Sequence, residues 1–130
     1  MIKKAFISYS YADRNEFKNL DKKLRFLLLK NKIDSYSFVF DFKEKVSNQV
    51  LMSEALRFID ESDLLIVELS YKPIGVGLEA GFAKAKDKKI IYIHRFGSEI
   101  SNTVDGICDI RIEYENVEDL LAKVENFLSK

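Results

Sequence analysis

Cysteine, histidine and proline each occur only once among the 130 residues. With Cys108 alone, the chain can build neither an internal disulfide framework nor a cysteine metal site. With His94 alone, Ser-His-Asp catalysis and histidine-rich metal centres have almost no material. Neither sign of charge is in excess: 21 Lys and Arg stand against 21 Asp and Glu. A net charge of zero leaves no broad electrostatic footprint for DNA, RNA or anionic lipid, so any nucleotide recognition is local. Long hydrophobic runs are also missing. Leu64 to Val67 and Ile90 to Ile93 are strand-sized, far below the roughly 20 residues of a membrane helix. Met1-Ile2-Lys3-Lys4-Ala5 runs straight into strand-like residues without a signal-peptide pattern, so cytoplasmic residence is expected. The chemistry left open is that of carboxylates.

What is present is a strict alternation of two patterns. Ala5 to Tyr9 is rich in β-formers, and Asp13 can cap a helix running to about Asn31 with Phe17, Leu20, Leu24 and Leu27/Leu28 at helical spacing. Tyr36 to Phe42 reads as a second strand and Ser47 to Glu61 as a second helix, with Val50, Leu51, Ala55, Phe58 and Ile59 on one side. Asp63 to Leu69 is a near-continuous apolar run that fits a strand buried on both faces. Tyr71 to Gly77 carries the proline and two glycines and reads as a turn, followed by an Ala-rich helix from Leu78 to Lys88. Lys89 to His94, a loop with Gly97 and Gly106, Asp109 to Tyr114 and Val117 to Leu128 complete the pattern as strand, loop, strand and helix. Alternation of this kind predicts a single α/β domain over residues 1–130. Its architecture is a flavodoxin-like, Rossmann-like three-layer sandwich with a five-stranded parallel sheet of order 2-1-3-4-5. The charge runs Lys43-Glu44-Lys45 and Lys86 to Lys89 read as solvated loop and helix ends.

Open parallel sheets bind ligands outside the carboxyl ends of their strands, near the point where strand order reverses. That rule selects Ser8-Tyr9-Ser10-Tyr11, the segment Ser70 to Gly77, and His94-Arg95-Phe96-Gly97. Gly75 and Gly77 allow close backbone approach, and their amides precede a helix whose N-terminus favours anions. Glu79 follows in what reads as the first helical turn, where the dipole keeps a carboxylate ionised and nucleophilic. The bland alternative is a glutamate that only complements the helix N-terminus. Phe6, Tyr9, Tyr71 and Phe96 are the aromatics placed to stack on a base. His94 is expected to serve packing or hydrogen bonding, and Cys108 to lie in the core.

The block Ser62-Asp63-Leu64-Leu65-Ile66-Val67-Glu68-Leu69-Ser70 with Gly75-Val76-Gly77-Leu78-Glu79-Ala80-Gly81-Phe82-Ala83 strongly resembles the signature of the nucleoside 2-deoxyribosyltransferase family. It looks most similar to that family's 2'-deoxynucleoside 5'-phosphate N-hydrolase branch. Lys89 to Arg95 and Ile100 to Gly106 resemble the family's fourth strand and the hydroxyl-bearing segment after it. The resemblance implies that Glu79 attacks the anomeric carbon of a nucleoside or nucleotide, forms a glycosyl-enzyme intermediate and releases the base. It places Ser10 and Gly75 at the substrate phosphate. It also places Ser101 at the site of a neighbouring subunit, hence in a homodimer. Phe6, Ser8, Ser70, Lys72, Gly77, Arg95 and Asn102 complete the candidate binding set. Neither metal nor cofactor is expected, because a carboxylate nucleophile and a competent leaving base suffice.

Four positions depart from the family pattern. Ala55 stands where an aspartate assists the leaving base, Phe6 where a tyrosine fixes the nucleophile, Ala12 where an arginine is usual, and Pro73 where a serine precedes the glycines. Asp41, at the end of the second strand, is the other carboxylate expected to face the cleft, with Glu54 on a different helical bearing. Lys72 or Arg95 could supply positive charge for a phosphate. Phe6 to Arg14 also resembles the first strand and loop of Toll/interleukin-1 receptor-like domains, some of which are NAD glycohydrolases and others adaptors. A non-catalytic nucleotide-binding or assembly module is the third reading.

Overall fold

A computed structural model describes residues 1–130. Five parallel strands form one sheet: β1 (Lys4–Ser8), β2 (Asp34–Ser37), β3 (Leu64–Glu68), β4 (Lys89–Arg95) and β5 (Ile110–Tyr114). Their order is β2-β1-β3-β4-β5, as the alternation predicts. The chain reverses direction across the sheet between β1 and β3, which pair from Ala5 opposite Leu64 to Ser8 opposite Val67. Helices α1 (Lys18–Lys30) and α6 (Val117–Leu128) cover one face, and α3 (Asn48–Asp60) and α4 (Ile74–Ala85) the other.

Strand side chains alternate between these faces, so β1 sends Ala5 and Ile7 toward α1 and α6 and Phe6 toward α3 and α4. β3 is buried along its whole length, as its unbroken apolar run requires. Each fully buried Leu or Ile in these layers contributes roughly 1.5–3 kcal/mol relative to exposure. Ser47 caps α3 by accepting the Val50 N–H, and Asn116 caps α6 by accepting the Asp119 N–H.

Several elements differ from expectation. The second strand ends at Ser37, and Phe38–Asp41 forms a helical turn, α2. Phe38, Val39, Phe40 and Phe42 are β-formers by type, but an edge strand paired on one side holds them weakly. Their rings gain more by folding back, with Phe38 stacked on Phe6 and on Phe42, centroids 6.1 and 4.6 Å apart. The Asp41 carboxylate closes the turn by accepting the Ser37 N–H at 3.0 Å. The first helix is preceded by a 3-10 turn, Arg14–Phe17, which Asp13 does not cap with its side chain. Instead Asp13 accepts the Ser10 hydroxyl at 2.7 Å. α4 begins four residues earlier than the glycines suggest, because Val76, Ala80 and Ala83 form a buried helical stripe that outweighs the poor propensity of Gly75 and Gly77. A short helix, α5 (Asn102–Asp105), occupies part of the expected loop, with Ser101 as its cap. No helix is long and apolar enough to cross a membrane.

Candidate active site

At the β1/β3 reversal, on the α3 and α4 side, lies a cleft of about 720 Å³. That is within the usual size range of small-molecule sites. Its walls come from the segment after β1 (Tyr9, Tyr11, Arg14), from α2 and the loop behind it (Phe38, Phe42, Lys43 to Val46), from α3 (Leu51, Met52, Ala55) and from the start of α4 (Pro73, Gly75, Val76, Glu79). This cleft lies on the carboxyl edge that the rule selects. The rule misses the loop after β2, although that strand ends beside β1 on the same edge.

Glu79 lies in the wall of this cleft. It sits in the second turn of α4 instead of the first, so the helix dipole acts on it less than its expected position implies. The residue is half-buried, and its carboxyl group is sunk against Ser8, a residue only 3% exposed. The Ser8 hydroxyl donates to Oε1 at 2.5 Å, and no cation pairs with the carboxylate. Burial pushes the Glu79 pKa up to about 7, with the Ser8 hydrogen bond acting in the opposite direction. The expected help of the helix dipole in keeping the carboxylate ionised is thus outweighed by burial, and near neutrality both protonation states are populated. Every buried side-chain nitrogen and oxygen has a partner, and Oε2 has none, so Oε2 is the oxygen that reaches the cleft surface.

The remaining candidates divide between the two faces of the sheet. Asp41 lies outside the cleft; Arg25 of α1 holds its carboxylate at 2.9 Å, so its placement as a cleft-facing carboxylate is overturned. Ser70 is drawn into a network with Glu68, donating its hydroxyl to that carboxylate at 2.7 Å and accepting the Arg95 N–H at 2.9 Å. Arg95 pairs with Glu16 at 2.9 Å and lines a separate cavity of about 600 Å³ with Phe96 and Tyr114. Lys72 pairs with the exposed Glu99 at 2.7 Å. Neither cation borders the Glu79 cleft. The cations that do are Arg14, Lys43 and Lys45, the last two expected to be merely solvated.

Phe6 is fully buried against Tyr36 and Phe38 and presents no face to a ligand. Tyr9 is buried with its hydroxyl on Asp21 at 2.8 Å, and Tyr71 bonds Glu16. Of the four aromatics expected to meet a base only Tyr9 borders the cleft, together with Tyr11, Phe38 and Phe42. Ser10 is buried on Asp13, Gly75 borders the cleft, and Gly77 lies in the α4 turn behind it. Ser101 caps α5 and donates its N–H to the Tyr92 hydroxyl at 2.8 Å, while Asn102 is exposed at the start of that helix. Ala55 does border the cleft, and Glu54 turns away to pair with Arg57 at 2.7 Å. His94 is buried and bridges Ser98 and Arg111, each at 2.9 Å; burial and the guanidinium hold its pKa below the ordinary value, so it is neutral and structural. Cys108 is half-buried against the α3 and α4 layer. No cluster of three or more His, Cys, Asp or Glu side chains is arranged to hold a metal ion.

Fold and site together define a class: a flavodoxin-like α/β protein with an ion-unpaired glutamate at the strand-order reversal, opening onto a small-molecule cleft. Comparison with known proteins points the same way. The chain is 26% identical, over 90% of its length and 88% of the other protein's, to a Thermofilum pendens protein named "Putative 2'-deoxynucleoside 5'-phosphate N-hydrolase 1". The CMP N-glycosidase of Clostridium botulinum superposes with a TM-score of 0.75 at 20% identity, over 95% of this chain and 99% of that one. The 2-deoxyribosyltransferase of Bacillus psychrosaccharolyticus does so with a TM-score of 0.70 at 15% identity, over 96% and 95%. At these identities the two structures establish the shared fold. No family model matches the chain. The resemblance to the nucleoside 2-deoxyribosyltransferase-like family therefore stands on sequence, and the solved structures share the fold.

Proposed function

We propose that residues 1–130 form one domain that cleaves, or transfers at, the N-glycosidic bond of a nucleoside or nucleoside 5'-monophosphate, with Glu79 as nucleophile. The observation that carries this reading is the free Oε2 of Glu79 at the wall of the cleft. In the ionised form, an Oε2 lone pair bonds to the anomeric carbon as the carbon–nitrogen bond breaks and its electron pair leaves on the base. Water then attacks the same carbon and frees the carboxylate; one water proton stays on the sugar hydroxyl and the other ends on the base. A second base in place of water gives transfer. The developing oxocarbenium charge is stabilised by the adjacent anion. Ala55 offers no acid, so the base must leave on its own stability or take its proton through solvent.

Arg14, Lys43 and Lys45 make no ion pair within the protein and border the same cleft. This supports a substrate carrying a phosphate, met by these cations in place of Lys72 and Arg95. The exposed apolar side chains Ile74 and Leu78 on α4 support the homodimer in which Ser101 serves the neighbouring site. Mixing Glu79→Gln with Ser101→Ala protein restores activity if that sharing is real.

The direct test is chromatographic detection of free base from a panel of deoxynucleosides, ribonucleosides, their 5'-monophosphates and NAD, comparing wild type with Glu79→Gln. Base release lost in the variant is the expected result. Release from NAD alone would favour the Toll/interleukin-1 receptor-like reading. Binding without release from any substrate would favour the non-catalytic module.

A further inference from the structure

Glu79 and Ser8 are separated by 71 positions in sequence and meet at 2.5 Å in the cleft wall. Ser8 is the last residue of β1, a strand flanked by β2 and β3, and is itself only 3% exposed. Its hydroxyl is therefore fixed by the sheet, whereas the glutamate side chain has several rotatable bonds. An ionised carboxylate only accepts hydrogen bonds, so in that state the hydroxyl must donate. The bond occupies Oε1 and leaves Oε2 as the oxygen open to the cleft. Phe6, two residues earlier on the same strand face, carries no hydroxyl and is fully buried, so it cannot share this task.

We propose that Ser8 is the positioning residue of the site, pinning one oxygen of Glu79 so that the other is presented to the anomeric carbon. The inference rests on the reading of Glu79 as nucleophile. Ser8 acts through Glu79 and does not itself bind substrate, which revises its place in the candidate binding set. The charged groups around the cleft are Arg14, after β1, and Lys43, Glu44 and Lys45, after α2; α3 contributes only Leu51, Met52 and Ala55. Burial raises the Glu79 pKa and the Ser8 hydrogen bond acts in the opposite direction.

The experiment combines kinetics with carbon-13 NMR of glutamate carboxyl groups in the full chain, for wild type, Ser8→Ala, Ser8→Cys and Ser8→Thr. Loss of one charge-assisted hydrogen bond predicts that Ser8→Ala lowers kcat about 10-fold to 100-fold with KM little changed. The Glu79 titration midpoint and the acid limb of the rate profile both move up by about one pH unit. Ser8→Thr keeps the donor and recovers most of the rate. The near-isosteric Ser8→Cys, a weak donor, falls between, and carries the same readouts if the alanine variant fails to fold. An unchanged midpoint and unchanged kcat in Ser8→Ala or Ser8→Cys would overturn the role of Ser8 while Glu79→Gln is still inactive. Activity surviving in Glu79→Gln would overturn the nucleophile reading itself.

Discussion

Two carboxylates, Glu68 and Glu79, lie near the same edge of the sheet on opposite faces, and burial raises the pKa of both. Glu68 is 1% exposed and accepts from the Ser70 N–H, the Ser70 hydroxyl and the Tyr114 hydroxyl. Its oxygens are spent on tying the end of β3 to β5. Glu79 has one donor and one free oxygen, beside open space. Desolvation alone therefore does not separate these two carboxylates; the count of donors and the access of the second oxygen do. Asp21 belongs with Glu68: it is buried, takes hydroxyl hydrogen bonds from Tyr9 and Ser37, and has Arg25 at 3.6 Å.

The sharpest way to break this contrast is to neutralise each residue in turn. Glu79→Gln should abolish base release, lowering the rate by roughly a thousandfold or more, because no other carboxylate lines the cleft at that depth. Glu68→Gln should leave the rate per folded molecule unchanged.

Stability should move the opposite way. Glu79 has a folded pKa of about 7 against an ordinary 4.5, so the folded state binds its proton more tightly than the unfolded state. The associated stability is full below the ordinary value and is lost as pH rises through about 7. Glu79→Gln escapes that loss, and its urea midpoint at pH 8 should exceed that of the wild type by the equivalent of at most about 3 kcal/mol, a gap that closes toward pH 4. Glu68→Gln instead places an amide among donors and should cost about 2 kcal/mol in the same assay. The smallest effect sharpens the contrast in charge between the two faces. Replacing Lys43 and Lys45 together by alanine should raise KM for a nucleoside monophosphate about tenfold, diminishing at high salt, and leave the nucleoside unaffected.

Much of the architecture is legible in residue order. The apolar stretch before Glu68 reads as a buried central strand and is one, and the Val117–Leu128 helix has the bounds its periodicity implies. The errors cluster where local type and tertiary packing disagree. Phe38 to Asp41 looks extended, yet folds as α2 because ring burial and the Asp41 hydrogen bond to Ser37 outweigh pairing at the sheet edge. The glycines before Glu79 look like a loop, yet their buried neighbours make them helical. Asp41 looked like a second site carboxylate because a strand end was expected there. Lys43 and Lys45 read as solvated ends and are exposed, and they also border the cleft.

Alternating strand and helix patterns, by themselves, pointed to the parallel sheet and its order, which the structure shows. The resemblance of the Gly75 to Glu79 block to the nucleoside 2-deoxyribosyltransferase family made Glu79 the foremost candidate. Only the tertiary structure decided which polar groups share a face: Ser8 with Glu79 on one side, and Ser70, Asp41 and Arg95 with other partners. The reason is geometric and electrostatic. Side chains alternate at every residue of a strand, so a shift of one position sends a group to the opposite face. The depth of water exclusion that sets a carboxylate's protonation is a property of everything packed around it, which no local stretch of sequence contains.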